Sequence, residues 1–214
     1  MGRIHVHEFV SLDGVYEDPS FTMAYGFPEA QGAVLASFIS ECTGILLGRR
    51  TFEMFAPAWS TRDATYDPGA PFFNDTTKHV VTSASSVDGW QNSEVLGPYD
   101  ADAIRGLKSA ENLYVSGSGT LVRALLVDKL VDELHLLVYP VVLGRGARLF
   151  ENSNEIGLRL VSHDVFDKRG HPLVVRSGGV TGSPQRFPAV PWGTCRVRGR
   201  WSSVGSNSTP PVAL

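Results

Sequence analysis

The segment 113–128 constrains the fold more than any other part of the chain. A short apolar run leads into Gly-Ser-Gly-Thr and then directly into a second apolar run with helical spacing. Gly117 and Gly119 lack a Cβ atom, so the backbone can turn sharply and a ligand can approach it. Free N–H groups at the helix start favour an anion, and Ser118 or Thr120 would cap the helix. The segment predicts a strand-turn-helix corner that can hold a phosphate, although such corners also occur as plain connections in α/β domains.

A second segment, 44–54, repeats this arrangement of a buried strand, a glycine and a helix. Its first helical turn holds Arg49, Arg50 and Thr51, although cations at a helix N-terminus oppose the helix dipole. The arginines therefore indicate a bound anion, since a guanidinium group can hold phosphate through two hydrogen bonds. Alternatively, they are solvated or pair with Glu53 at helical spacing. Two phosphate-type corners in one small domain predict a dinucleotide with an extra phosphate, which is NADP rather than NAD.

Four motifs follow one another along the chain. They are Ser-Leu-Asp-Gly at 11–14, Leu-Gly-Arg-Arg-Thr-Phe-Glu at 47–53, Val-Ser-Gly-Ser-Gly-Thr-Leu at 115–121, and Pro-Val-Val-Leu-Gly-Arg-Gly at 140–146. In this order they resemble the dihydrofolate-reductase-like superfamily, and more narrowly its branch related to the reductase domain of riboflavin biosynthesis. The resemblance covers residues 1–176. It implies a three-layer α/β/α domain with a central mixed, mostly parallel sheet, antiparallel C-terminal strands and NADPH as the cofactor.

The resemblance also assigns residues to the cofactor site. It places the cofactor phosphates on the two corners, and it adds a hydroxyl after the strand 78–82 as a contact to the adenosine 2′-phosphate. An ordinary strand-end turn is the alternative for that hydroxyl. The expected cofactor contacts are Gly48, Arg49, Arg50, Thr51, Ser83, Gly117, Ser118, Gly119, Thr120 and Leu121.

The chemistry at the substrate end follows from the cofactor. The nicotinamide carries out hydride transfer, so the protein must hold it against a flat C=N or C=O group and supply one proton. Asp13 is the residue expected to act catalytically by orienting substrate or water, with Ser11 and Gly14 as substrate contacts. A turn-forming Asp-Gly pair without chemistry is the alternative.

The helix before the Gly-Arg strand departs from the family pattern. Dihydrofolate reductases carry a carboxylate on this helix, whereas the matching stretch 30–33 reads Ala-Gln-Gly-Ala. This argues against dihydrofolate as the substrate. We therefore expect an NADPH-dependent reductase of another small heteroaromatic or pterin-like compound, resembling 5-amino-6-(5-phosphoribosylamino)uracil reductase. The alternative is a non-catalytic NADPH- or ligand-binding protein that keeps the reductase fold.

Apolar periodicity and turn residues predict the secondary structure. Helices are expected at 30–42, at 50–56 with a stop at Pro57, at 101–109, and from the glycine corner to 131. Strands are expected at 3–10, 45–48, 78–82, 95–96, 113–116, 133–142, 158–165 and 172–176, the last three as mainly antiparallel additions. Residues 11–28 and 57–77 are expected to be long irregular loops.

Composition excludes several classes of function. The net charge of -3 argues against a nucleic-acid partner for the folded domain. No signal peptide or membrane-spanning run is evident, which predicts a cytoplasmic protein without a membrane partner. Cys42 and Cys195 cannot form the zinc signature of riboflavin deaminases. His5, His7 and His135 have no acidic ligand spaced with them in the sequence, so we expect no metal.

The last part of the chain differs from the rest. Residues 177–214 are rich in Gly, Ser and Pro and contain four arginines and no acidic residue, which predicts a disordered basic tail after a domain at 1–176. The apolar strand at 134–142 would leave an exposed edge or face. Since members of the family are commonly dimers, we expect a homodimer through this part of the sheet.

Overall fold

The computed structural model describes residues 2–65, 67–151, 155–165 and 173–181. The strands in these residues are β1 (Ile4–Ser11), β2 (Gly44–Gly48), β3 (Thr77–Val81), β4 (Ser93–Gly97), β5 (Leu113–Ser116), β6 (Glu133–Tyr139), β7 (Gly157–Val165) and β8 (Leu173–Thr181). The helices are α1 (Glu29–Ile39), α2 (Arg49–Trp59), α3 (Ala70–Asp75), α4 (Ala101–Ala110) and α5 (Gly119–Val127), together with a 3₁₀ helix at Pro19–Tyr25.

All the described strands join one sheet in the order β4-β3-β2-β5-β1-β6-β8-β7. The strands from β4 to β6 are parallel, whereas β8 runs antiparallel to β6 and β7 runs antiparallel to β8. This confirms the mixed, mostly parallel sheet with antiparallel strands near the C-terminus. One detail was wrong, because β6 is parallel to β1. The helix α5 supplies the crossover that a parallel connection between β5 and β6 requires.

Helices cover both faces of the sheet, which confirms the three-layer arrangement. On one face, side chains of α4 and α5 pack against β1 and β5 in a core that includes Ile104 and Leu125. On the other face, α1, α2 and α3 contribute Phe38, Phe52 and Phe73 to a second, aromatic core. None of the helices in the described part of the chain combines the length and apolar character that crossing a membrane requires.

Two segments expected to be irregular contain short helices. The 3₁₀ helix at Pro19–Tyr25 lies within 11–28, and its Phe21 and Tyr25 rings pack edge-on against Tyr139, with ring centroids 5.6 and 5.4 Å away. Within 57–77, α3 places Phe73 on the ring of Trp59, with centroids 4.0 Å apart. Packing against residues distant in sequence stabilises both segments, so local composition did not predict them.

Element ends also differ from the expectation. The helix α2 continues past Pro57 to Trp59, because stacking of Trp59 on Phe73 offsets the hydrogen bond that proline cannot donate. The helix α5 ends at Val127 rather than at 131. The strand β8 continues to Thr181, beyond the expected domain boundary at Arg176. Cys195 and the rest of the expected tail, 182–214, lie outside the described residues.

Asn74 in α3 connects the segment 57–77 to the loop before β4. Its amide group donates to the carbonyl oxygens of Trp59 (3.1 Å) and Arg62 (2.9 Å), and its side-chain oxygen accepts the indole N–H of Trp90 (2.8 Å). Asn74 and Trp90 are both buried. Loss of this amide would leave several polar groups without partners.

We predict that Asn74→Ala lowers the free energy of unfolding by about 2 to 4 kcal/mol, because the buried indole N–H loses its acceptor. Urea denaturation followed by circular dichroism measures the change. Asp75→Ala, at the exposed neighbouring position, serves as the control and should change stability by less than about 0.5 kcal/mol. Equal stability of the two variants would contradict this role of Asn74.

Candidate functional site

The two glycine corners are hydrogen-bonded to each other at the carboxyl edge of the sheet, where β2 and β5 are neighbours. The N–H of Ser118 donates to Oγ1 of Thr51 (2.8 Å), and the N–H of Gly48 donates to Oγ of Ser118 (3.0 Å). Each corner thus satisfies a backbone donor of the other. The reciprocal pair holds the start of α2 and the start of α5 side by side.

Both helix N-termini are open at this edge. Neither α2 nor α5 has a side-chain cap among the described residues, so the expected capping by Ser118 or Thr120 was wrong. The Ser118 hydroxyl faces Gly48 instead, and Ser118 itself adopts the left-handed conformation with φ 57°. The first helical bond of α5 is made by the N–H of Val122 to Ser118 (3.0 Å). The preceding N–H groups of this turn remain outside the helical ladder, and such groups are available to an anionic ligand.

Glycine is required in the α5 corner at two positions for different reasons. Gly117 has φ 58°, in the left-handed region that most side chains avoid. A Cβ atom on Gly119 would overlap the ring of Tyr16, which packs against Gly119. The loop after β1 therefore lies close to the α5 corner.

A cleft of about 1230 Å³ opens beside the two corners. Its apolar walls include Phe9, Phe21 and Phe55, and Arg145 lies at its edge. The expected cofactor contacts that line it are Gly48, Arg49, Arg50, Thr51, Gly117, Ser118, Gly119, Thr120 and Leu121. Ser83 is exposed after β3 and does not line this cleft. The fold therefore brings the predicted residues of the two separate corners together along one cleft.

The two arginines are exposed and each pairs with a carboxylate. Arg49 bonds Glu53 (2.6 Å), as the helical-spacing alternative predicts, and Arg50 contacts Glu17 of the loop after β1 (3.4 Å). The Arg50 side chain is 84% exposed. Exposed ion pairs contribute little to stability, so both guanidinium groups can exchange these partners for a phosphate at small cost.

Ser11, Asp13 and Gly14 form a hydrogen-bonded turn that does not line the cleft. The Asp13 carboxylate accepts the N–H groups of Leu143 (3.0 Å) and Gly144 (2.9 Å) and contacts the guanidinium group of Arg148 (3.3 Å). The backbone N–H of Leu143 and the Ser11 hydroxyl hold the pKa of Asp13 well below its ordinary value. These contacts favour the turn-forming alternative over the expected catalytic role of Asp13, because its lone pairs are already engaged.

Gln31 is the polar residue of the stretch 30–33, where the family pattern has a carboxylate. It is fully buried in α1, and its side-chain N–H donates to the hydroxyl of Tyr139 (3.3 Å). An amide cannot supply a proton to a substrate at neutral pH, so this position does not provide the acid.

Glu8 is a site residue that the sequence analysis missed. It lies on β1, is only 3% exposed, and lines the cleft. Its Oε1 atom has no hydrogen-bond partner among the described residues. Burial raises the pKa of Glu8 well above its ordinary value, while a hydrogen bond from the Gly117 N–H partly opposes that rise. The signal was present in the alternation of β1, which puts Glu8 on the same face as the core residues Val6 and Val10.

The histidines of the sheet have an acidic neighbour after all. Oε2 of Glu133 lies 3.4 Å from Nδ1 of His5 and 3.2 Å from Nε2 of His135, a neighbour that the spacing of acidic residues in the sequence did not indicate. The parallel register places Glu133 opposite His5. This cluster lies at the end of β1 away from the cleft. Burial lowers the pKa of His7 to about 3, so this imidazole is neutral.

Known proteins resemble the chain in sequence and fold. Residues 100–171 match the RibD C-terminal domain. The uncharacterized protein YwjB of Bacillus subtilis (strain 168) is 30% identical over 158 residues, which cover 71% of this chain and 84% of YwjB. A protein from Shewanella sp. PV-4, named as a riboflavin biosynthesis protein, superimposes on this chain with a TM-score of 0.66 at 17% identity. The match covers 84% of this chain and 99% of that protein. Dihydrofolate reductase from Enterococcus faecalis, solved with NADP(H), gives a TM-score of 0.54 at 14% identity, covering 83% and 96%.

We predict that Asp13→Asn lowers the melting temperature, because an amide cannot replace the charge that binds two N–H groups and Arg148. Since the folded pKa of Asp13 is depressed, its stabilising effect is present above pH about 4 and is lost as the pH falls below that value. The difference in melting temperature between wild type and variant should therefore shrink from pH 7 to pH 3. Thermal melts followed by circular dichroism measure it.

Asp102→Asn is the control for this experiment, because Asp102 is 90% exposed and pairs only with Arg105 among the described residues. It should melt like the wild type at both pH values. A constant difference for Asp13→Asn across the pH range would contradict the contribution of its ionised form.

Proposed function

This chain belongs to the dihydrofolate-reductase-like superfamily, in the branch of the RibD C-terminal domain, and we propose that it is an NADPH-dependent reductase of a small heteroaromatic or pterin-like substrate. One observation supports the proposal most: the Thr51–Ser118 contact keeps two uncapped helix N-termini open to the same large cleft. Such an arrangement suits the two phosphates of a dinucleotide.

The residues of the cleft fit the phosphate groups of NADPH. The N–H groups in the first turn of α5 would bind the pyrophosphate, and Thr51 would hold the corner in place. Arg49 and Arg50 would exchange their surface ion pairs for the 2′-phosphate. Ser83, which is exposed outside the lining of the cleft, is kept as a proposed further contact from the end of β3. When bound, the reduced nicotinamide supplies a hydride.

The other end of the cleft fits a flat substrate. Phe9 and Phe21 present aromatic surface there, and both rings pack against Tyr139. Aromatic walls bind a planar heterocycle by stacking and exclude water around the reacting atoms. Arg145 at the edge would interact with an anionic substituent of the substrate. These features suit the reduction of a C=N or C=O group in a small heteroaromatic or pterin-like substrate.

We predict that the protein binds NADPH more tightly than NADH. Replacing Arg49 or Arg50, whichever contacts the 2′-phosphate, with alanine should weaken NADPH binding by about 1.5 to 3 kcal/mol, as expected for a charged hydrogen bond, and leave NADH binding nearly unchanged. Titration followed by nicotinamide fluorescence measures both affinities. Arg105→Ala on α4, outside the cleft, is the matched control and should bind NADPH like the wild type. No binding of either nucleotide, or a preference for NADH, would contradict the proposal.

A non-catalytic ligand-binding protein is the second candidate, and the observation that favours it is the amide of Gln31 at the helix position. NADPH binding without oxidation by 5-amino-6-(5-phosphoribosylamino)uracil, a dihydropteridine or a quinone would support this candidate. Oxidation of NADPH by any of these compounds would exclude it.

We also propose a homodimer, with its contact moved from 134–142 to β7. The strand β6 is interior to the sheet, between β1 and β8, whereas β7 is the outer strand. Leu158, Leu160 and Val161 on β7 are exposed, with Leu160 at 59%. Unpaired strand edges with apolar side chains are usually covered in native proteins.

Leu160→Lys should convert the dimer into a monomer, because a charge would be buried in the contact. Static light scattering at micromolar concentration measures the mass. Leu12→Lys, at a loop position that is 66% exposed, is the control and should remain dimeric. A monomeric wild type would contradict the proposed dimer.

A further inference from the structure

We propose that the carboxyl group of Glu8 donates the proton that accompanies hydride transfer, so that β1 rather than α1 supplies the acid of the reaction. This inference rests on the proposed function, since it concerns the same cleft. It assigns a chemical role to a buried polar group that the binding of cofactor phosphates does not use.

The position of Glu8 follows from the strand pairing. The ladder between β1 and β5 ends at the pair His7 and Ser116, and β5 then turns away at Gly117. On its other side β1 stays paired with β6 as far as Ser11. Glu8 is therefore the first residue of β1 beyond the point where the two strands separate. Its carboxyl group lies at the inner end of the cleft and accepts the N–H of Gly117.

Other carboxyl groups near the cleft are already engaged. Glu17 is partly exposed, contacts Arg50 and accepts the N–H of Ala147 (3.0 Å). Asp18 caps the 3₁₀ helix by accepting the N–H of Ser20. Asp13 is fixed in its turn by two backbone N–H groups. Among the described carboxyl groups that line the cleft, Glu8 alone is buried and has an oxygen atom without a partner.

Burial favours the protonated form of the Glu8 carboxyl group. An ionised carboxylate among Val6, Val10 and the other apolar residues of this face would lose its hydration, and no ion pair with Glu8 is present in the described residues. The pKa of Glu8 is therefore raised well above its ordinary value. A carboxyl group that holds its proton near neutral pH is suited to act as a general acid.

The properties of the surrounding titratable groups favour Glu8 as the proton donor. His7 is neutral, and burial raises the pKa of Tyr114, whose hydroxyl group lies 3.0 Å from Nδ1 of His7. On α5 the charged side chain is Arg123, which donates to the carbonyl oxygen of Arg148 (3.1 Å). The other titratable groups that line the cleft are Tyr16, Glu17, Asp18, Arg49, Arg50, Tyr99 and Arg145.

The proposed step balances for a C=N or C=O group in the substrate. A hydride from the reduced nicotinamide forms a bond to the substrate carbon, and the electron pair of the double bond moves to nitrogen or oxygen. That atom takes the proton of Glu8. Glu8 is left as a carboxylate, which accepts the Gly117 N–H, and it recovers a proton from water before the next turnover. NADPH is the reductant, and the substrate is reduced by two electrons.

Carbon-13 NMR of the protein labelled at glutamate carboxyl groups tests the protonation state without substrate. We expect one signal of a protonated carboxyl group at pH 7 that is absent from Glu8→Gln and present in Glu41→Gln, the same change at an exposed position outside the cleft. Titration of every glutamate at its ordinary pKa would overturn the inference.

Stopped-flow oxidation of NADPH by 5-amino-6-(5-phosphoribosylamino)uracil tests the role in turnover. The rate in the wild type should fall as the pH rises through the pKa of Glu8. Glu8→Gln keeps the shape and the acceptor for Gly117, so it should bind NADPH within about twofold of the wild type yet react about 100-fold or more slowly, without that pH dependence. Glu8→Asp should recover part of the rate.

The outcomes separate the two proposals. A wild type that does not bind NADPH would contradict the proposed function. NADPH binding together with an ionised Glu8, or with full turnover in Glu8→Gln, would overturn the role of Glu8 and leave the reductase proposal standing.

Discussion

The reciprocal hydrogen bonds between Thr51 and Ser118 and between Ser118 and Gly48 are the constraint on which the candidate site depends. Ser118 adopts a left-handed backbone conformation that costs about 1 kcal/mol or more for a residue with a Cβ atom. The bonds to Thr51 and Gly48 offset this cost. Because the side chain of Ser118 bonds Gly48, it does not cap α5, and the helix start stays open to a ligand.

This arrangement explains why both corners belong to one site. The strands β2 and β5 are adjacent in the sheet although β3, β4 and α4 separate them in the chain. Their carboxyl ends therefore meet at the same edge, where a parallel sheet binds its ligands. The adjacent strand β1 contributes Glu8 from the buried side of that edge. The same cleft is thus lined by the open starts of two helices and by a buried carboxyl group that accepts the N–H of Gly117 in the α5 corner.

Sequence reasoning was most successful where a local pattern determines the structure. Glycines between an apolar strand and an apolar helix predicted both corners, and the order of elements predicted a mostly parallel sheet. It failed where contacts between residues far apart in the sequence determine the structure. The helix α3, for example, depends on the hydrogen bond from Asn74 to Trp59 and on the stacking of Phe73 on Trp59. For Asp13, the motif did not reveal that the N–H groups of Leu143 and Gly144 bind its carboxylate, because these residues are distant in the sequence. Glu8 was missed because a single acidic residue in a strand indicates function only after its burial is known.

The central claim is that the two linked corners bind the cofactor phosphates together. Backbone amide NMR during titration with NADPH tests this claim most directly. We expect NADPH to shift the amide signals of 48–51 and 117–121 along one saturation curve. In Ser118→Ala, which lacks the hydroxyl that bonds Gly48, both sets should respond at higher NADPH concentration. Shifts confined to one corner, or separate saturation curves for the two corners, would contradict the account.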